Sequence, residues 1–310
     1  MAGSCFLFAS MAALLRYASE VDCYTSAMIR FAIGIAILGA AAMTGRIRLA
    51  FVRSRLLFLR GFLGGIGVLL FYLSIQKIGL ARATSITYAY PIFAAIGGAL
   101  FLRERIAPWQ WIVILLAFVG IYATATGNQG LGHGVGLYEG LAVLGAVVAG
   151  IVVVLIKVLR ETESAPAVFC AQSVVGFWIV LVPSQVTRSE IGVTTGLVLV
   201  ASGLLAAAGQ LMMTWSYRHV KVSTGSLLGM LTPVLNVLIA AILFGESLAP
   251  VTQAGAVLVL GACGLYGLAE GRGAGVLPGS TPRADSRGLP PVRARAMLGE
   301  AFATMRRRRS

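Results

Sequence analysis

Ten stretches of this chain are apolar almost from end to end, and charge is confined to the short breaks between them. They fall at about residues 1–19, 24–44, 56–76, 82–102, 109–126, 134–157, 165–183, 193–215, 222–244 and 251–269. Each approaches the roughly 20 apolar residues a helix needs to cross the hydrocarbon of a bilayer. The pattern predicts an all-α polytopic membrane protein with ten transmembrane helices. The first stretch lacks a basic leader and is too long for the apolar region of a signal peptide, so it reads as a retained span. Beyond 269 the composition turns to Gly, Pro, Ser and Arg. Its low apolar content predicts a disordered tail over 270–310.

The fourth and ninth stretches repeat one device. YPIFAAIGGALFLRERIAP places Pro91, Glu104 and Pro108 where TPVLNVLIAAILFGESLAP places Pro233, Glu246 and Pro250, always 142 residues later. From Arg60 to about Thr126 this offset needs no gap, and it matches Gly61 to Gly203, Gly67 to Gly209 and Ser74 to Ser216. Upstream it matches Gly34 to Gly176 and sets Arg30 against Gln172. The chain therefore divides into a unit over 1–127 and a second over 134–269. Each has five spans, an odd number, so the second unit enters the membrane from the opposite face. Two inverted five-helix repeats are an arrangement common among secondary transporters.

Composition and charge then orient the chain. It is 58% hydrophobic and 12% charged, with a mean hydropathy of +0.89, against about 25% charged residues in soluble domains. Of its Lys and Arg residues, 20 fall in the tail and in one set of loops, which include Arg46, Arg53, Arg60, Arg103 and Lys157. The opposite loops hold 4, and Arg30 lies inside a span. The excess marks the cytoplasmic side, which places both termini there and the protein in the cell inner membrane. The net charge of +14 is thus mainly an orientation signal, and nucleic acid is not an expected partner. The nine arginines of the tail would attract anionic lipid. Cys5, Cys23, Cys170 and Cys263 form no C-x-x-C pair and read as small buried hydrophobes.

The stretches Arg30-Phe31, Arg60-Gly61, ARATSITYAYPIFAAIGGALFLRERIAPWQW and STGSLLGMLTPVLNVLIAAILFGESLAP together resemble the EamA branch of the drug/metabolite transporter superfamily. The resemblance covers about residues 5–269. It implies ten spans, cytoplasmic termini, a central cavity between the halves and a small-metabolite substrate, and it does not name the solute. Gln172 at the position of Arg30 departs from internal symmetry and implies an asymmetric cavity.

The polar residues near span centres are the candidate site. Pro91 and Pro233 each remove a backbone bond, to Thr87 and Gly229 respectively, and are expected to kink their helices as hinges or cavity walls. Thr87, Tyr88, Tyr90, Thr232 and Asn236 surround them and could contact a solute, or serve only as interhelical bonds. On a regular helix Tyr88 and Tyr90 lie about 200° apart, so at most one faces the cavity. Arg30, about 10 Å inside its span, is a candidate anion contact, the alternative being snorkelling to the surface. Gln172 and Gln210 are weaker candidates. Glu104 and Glu246 end their spans as gates or structural links. Gly61, Gly64, Gly65 and Gly67 form a small-residue face for close helix packing.

No Asp, Glu or His lies near a span centre, so proton coupling is not expected. No catalytic, metal or cofactor site is legible either. The expected function is a permease for a small polar metabolite, such as an amino acid or related compound, anionic solutes included, acting as an exporter or facilitator. A non-transport membrane protein, enzymatic, signalling or structural, is the alternative.

Overall fold

In the computed structural model, residues 1–18, 20–47, 49–104, 106–126, 136–187, 191–244 and 249–274 are described, and no strand occurs among them. They form α1 (Ala2–Tyr17), α2 (Cys23–Met43), α3 (Ser54–Ile78), α4 (Leu80–Thr87), α5 (Tyr90–Phe101) and α6 (Pro108–Thr126). The second half forms α7 (Leu137–Leu159), α8 (Ala165–Thr187), α9 (Val193–Ser216), α10 (Val222–Gly229), α11 (Leu231–Phe244) and α12 (Pro250–Ala274). Met1–Leu268 is one compact unit. Glu246 and the tail from 275 lie outside the described residues.

By length and apolar composition, α2, α3, α7, α8, α9 and the joined stretch Val222–Leu243 can each cross a membrane. The apolar helices α1, α5, α6 and α12 are shorter. Large apolar side chains point outward from the bundle: Trp178 is 67% exposed, Val182 70% and Ile242 80%. Such surfaces suit lipid as solvent, because hydrocarbon imposes no penalty on them.

Local chemistry sets the helix ends. Asp22 caps α2, its carboxylate accepting the amides of Tyr24 and Thr25 at 2.9 Å each. A single residue, Gly79, joins α3 to α4 at φ +81°, a backbone state that costs other residues a steric clash.

The fourth and ninth apolar stretches are broken helices, where sequence predicted continuous kinked ones. The chain leaves helix at Tyr88–Ala89 and re-enters at Tyr90, which puts Pro91 in the first turn of α5. Met230 separates α10 from α11, with Pro233 in the first turn of α11. A proline in a first turn lacks only an amide that would be orphaned anyway, so each proline starts a new helix.

The two halves interleave. α1 packs on α9 and α11, α7 on α3 and α5, and α8 on both α2 and α3. At the α3–α8 contact the small-residue face is in use. A side chain at Gly61 would strike the Ala171 carbonyl, and one at Gly65 would lie 2.8 Å from Gly176 Cα. The fully buried Ile114, Leu227, Met230 and Val259 anchor one core around α6, α10 and α12. Ile156, Leu159, Val168 and Tyr217 anchor a second around α7.

Candidate functional site

Breaking a helix in hydrocarbon orphans its last carbonyls, and each must find another donor. At the end of α10 the Met230 amide turns back to the Leu227 carbonyl at 2.9 Å, and three side chains from three other helices add further donors. Tyr90 Oη of α5 donates to the Ser226 carbonyl (3.2 Å), Cys263 Sγ of α12 to Leu227 (3.5 Å) and Cys5 Sγ of α1 to Leu228 (3.3 Å). The two cysteines are thus weak donors as well as small apolar residues. Tyr90 Oη sits against Gly229, where it would collide with any side chain, so the two broken helices touch at their breaks.

Tyr88 and Tyr90 stand with ring centroids 5.8 Å apart, edge to face. Sequence geometry placed them on different helix faces. The break between them annuls that geometry and brings both rings to one place. Thr232, only 3% exposed, faces the Tyr88 hydroxyl and the Cys5 thiol. Of the sequence candidates, Tyr88, Tyr90 and Thr232 are therefore gathered at the breaks.

Three further candidates carry buried polar atoms with no partner among the described residues: Thr87 Oγ1, Gln210 Nε2 and Asn236 Oδ1. Thr84 and Thr214 share this property. Unpaired polar atoms in a dry interior are costly and mark places where another molecule can complete the bonding. Gln210 and Asn236 lie on α9 and α11, both packed against α1, whereas Thr87 lies on α4, which packs on α3, α6 and α7. An apolar cavity of about 220 Å³ lies beside the first break, between Ile86, Phe93, Phe118 and Val143.

Arg30 is half-buried. Its Nη1 donates to Tyr72 Oη at 3.4 Å and lies 3.5 Å from Met11 Sδ, with the guanidinium carbon 5.9 Å from the centre of the Tyr72 ring. Its partners are thus an aromatic and a thioether.

A second arginine lies deeper. The charge pattern places Arg60 with the cytoplasmic loops, but α3 begins at Ser54 and carries Arg60 inward, where it is 1% exposed. Its Nη2 donates to Gln172 Oε1 of α8 at 2.9 Å, and Gln172 Nε2 donates to the Gly64 carbonyl at 3.4 Å. Among the described residues Arg60 Nε and Nη1 have no partner. Gly64, one turn along α3, leaves the space that the guanidinium fills. The legible signal was that spacing of Arg and Gly on one helix face, and a count of loop charges passes over it.

Glu104 links the halves. The chain leaves α5 through Arg103 at φ +54°, and the Glu104 amide folds back onto the Gly98 carbonyl at 3.1 Å. This turn delivers the carboxylate to the start of α10. There it accepts the Val222 amide at 2.9 Å and the Ser223 amide and hydroxyl at 3.5 Å each. A carboxylate at a helix N-terminus satisfies orphan amides and complements the macrodipole. Glu163 acts alike on α3, accepting the Arg53 amide at 2.6 Å. Beside it, in the turn after α7, Arg160 donates to the Glu163 carbonyl, and burial holds its guanidinium below the usual range, with Arg218 adding to the effect. Among the described residues no cluster of His, Cys, Asp or Glu could hold a metal.

The model of the EamA-like transporter family matches residues 1–126 and 137–268. An uncharacterized transporter of Synechocystis is 26% identical over 64% of this chain and 62% of its own length. A riboflavin transporter of Rhizobium johnstonii is 26% identical over 64% of this chain and 66% of its own length. Human solute carrier family 35 member G1 is 35% identical, over 21% of this chain and 18% of its own. The chain thus spans less than two thirds of the length of these relatives. A solved crystal structure shares the fold with a TM-score of 0.74, at 16% identity, over 87% of this chain and 96% of that one.

Proposed function

The chain belongs to the EamA-like transporter family, and on that premise we propose that this membrane transporter carries a small polar metabolite by alternating access between two inverted repeats. The repeats are 1–127 and 134–269, with ten spans in all, both termini cytoplasmic and the cell inner membrane as the site of action. The observation that carries this reading is the meeting of two broken helices at one buried, polar place.

Helix packing supports the inverted repeat. Exchanging the halves turns the α1–α9 contact into α7–α3, α1–α11 into α7–α5 and α2–α9 into α8–α3, and all of these contacts exist. In this reading Pro91 and Pro233 fix two hinges. Tyr88, Tyr90, Thr232, Thr87, Gln210 and Asn236 offer hydrogen bonds and aromatic walls to the solute. Arg30 biases its charge, Gln172 offers an amide, and Glu104 ties the halves together, Glu246 being its counterpart in the sequence of the second repeat. Export or facilitated flux fits a chain with no acid or histidine at a span centre. The basic tail would rest on anionic lipid.

Riboflavin, named for one relative, belongs in a test panel with amino acids, nucleotides and polyamines. Proteoliposomes loaded with that panel should release one class above empty vesicles. Release of none by folded protein would defeat the proposal.

A further inference from the structure

We propose that Arg60 is an oxyanion-binding residue held ready by Gln172, and that the transported solute is accordingly an organic anion. This rests on the transport reading. Its basis is the unbalanced charge of one buried side chain.

A guanidinium stays protonated in proteins and carries five N–H donors. At 1% exposure Arg60 engages Gln172 through Nη2, and Nε and Nη1 find no acceptor among the described residues. No carboxylate among the described residues pairs with it. Glu104 is committed to α10, Glu163 to the Arg53 amide, Glu139 to the Gly136 amide and Asp22 to the start of α2. A buried charge without a counter-charge is among the costliest features a membrane interior can hold.

A helix-bridging role does not account for it. An amide would bridge α3 to α8 without the charge, and the second half shows that the fold does without the arginine. At the position equivalent to Arg60 stands Ser202, which bonds only the Leu199 carbonyl of its own helix at 3.0 Å.

Two neighbours shape this site. Gln172 is fixed at both ends, by Arg60 and by the Gly64 carbonyl, so it steers the guanidinium while leaving donors open. Gly64, having no side chain, leaves the space in which Nη1 lies. Arg60 lies about 9 Å along α3 from Ser54, at 1.5 Å per residue. The Arg60–Gln172 bond joins the two repeats, so their separation breaks it. A solute carboxylate or phosphate then replaces the amide oxygen with a stronger, charge-assisted bond. Solute binding and the opening of the halves are coupled through this one contact.

The test uses the purified full chain and matched probes: glutamate against glutamine, nicotinate against nicotinamide, and inorganic phosphate, at equal ionic strength. Binding is read by thermal stabilisation, and flux of the same probes is read in proteoliposomes. The wild type should bind a carboxylate or phosphate in preference to its neutral twin, and which anion wins distinguishes the two chemistries. Arg60→Gln should lose that preference by roughly tenfold or more, and Arg60→Lys should retain part of it.

Because Arg60→Gln could fold poorly, Gln172→Glu is the second variant. It supplies the missing counter-charge internally, so it should raise thermal stability and abolish anion binding. Anion binding unchanged in Gln172→Glu, or no anion preference in the wild type, overturns the proposal. Flux of a neutral solute that Arg60→Gln leaves intact keeps the transport reading and overturns this one. Anion binding lost in Arg60→Gln without any flux does the reverse.

Discussion

Glu104 closes the start of a helix that begins 118 residues later, its carboxylate accepting the Val222 amide at 2.9 Å. The contact ties the end of one broken helix to the beginning of the other. Helix-capping acids contribute roughly 0.5–2 kcal/mol. Glu104→Ala should therefore lower the thermal unfolding midpoint in detergent, and Glu104→Gln should lower it less. An unchanged midpoint in Glu104→Ala would mean that the cap contributes nothing.

Tyr90 serves the same junction from the other side. Tyr90→Phe keeps the ring and removes the donor to the Ser226 carbonyl. Leaving a buried acceptor unpaired costs roughly 1–3 kcal/mol. A measurable loss of thermal stability is expected, and a variant as stable as the wild type would show that the carbonyl finds another donor.

Pro91 and Pro233 begin helices where an unbroken span would otherwise run. Replacing either by alanine restores an amide that can reach the Thr87 or Gly229 carbonyl and heal the break. If the breaks are hinges, each variant transports more slowly while remaining folded, and the double variant is slower still. Turnover equal to wild type in proteoliposomes would remove the hinge role and leave the prolines as packing devices.

Much of this arrangement was legible because a membrane simplifies the code. Runs of apolar residues locate helices well, and the paired Pro91 and Pro233 mark where two of them depart from regularity, although as kinks rather than as the breaks that form. What escaped depended on local departure from regular geometry or on a partner distant in sequence. Tyr88 and Tyr90 diverge on a continuous helix, and the break between them reverses that geometry. Arg60 was placed in a loop because a charge ordinarily ends a span. Only the room at Gly64 and the amide of Gln172, on a helix 112 residues away, let it enter. The engagement of Cys5 and Cys263 with the carbonyls that end α10 is likewise invisible until the helices are assembled.

Gly64 gives this last point a direct check. A methyl there would occupy the space of the Arg60 guanidinium, and overpacking typically costs roughly 1–3 kcal/mol. Gly64→Ala should unfold at a lower temperature than the wild type. Gly39→Ala is the control: nothing lies within 4 Å of an added Cβ there, so its stability should be unchanged or slightly raised. Equal behaviour of the two variants would contradict the packing described around Arg60.

Alternating access itself is tested most directly by counterflow. Once panel release identifies a solute, proteoliposomes are loaded with it unlabelled and diluted into a trace of the labelled form. A carrier whose two halves open in turn will accumulate label transiently above its equilibrium level, because each outward passage of unlabelled solute returns the site for an inward one. Label that only equilibrates, or fails to enter vesicles containing folded protein, would contradict the account.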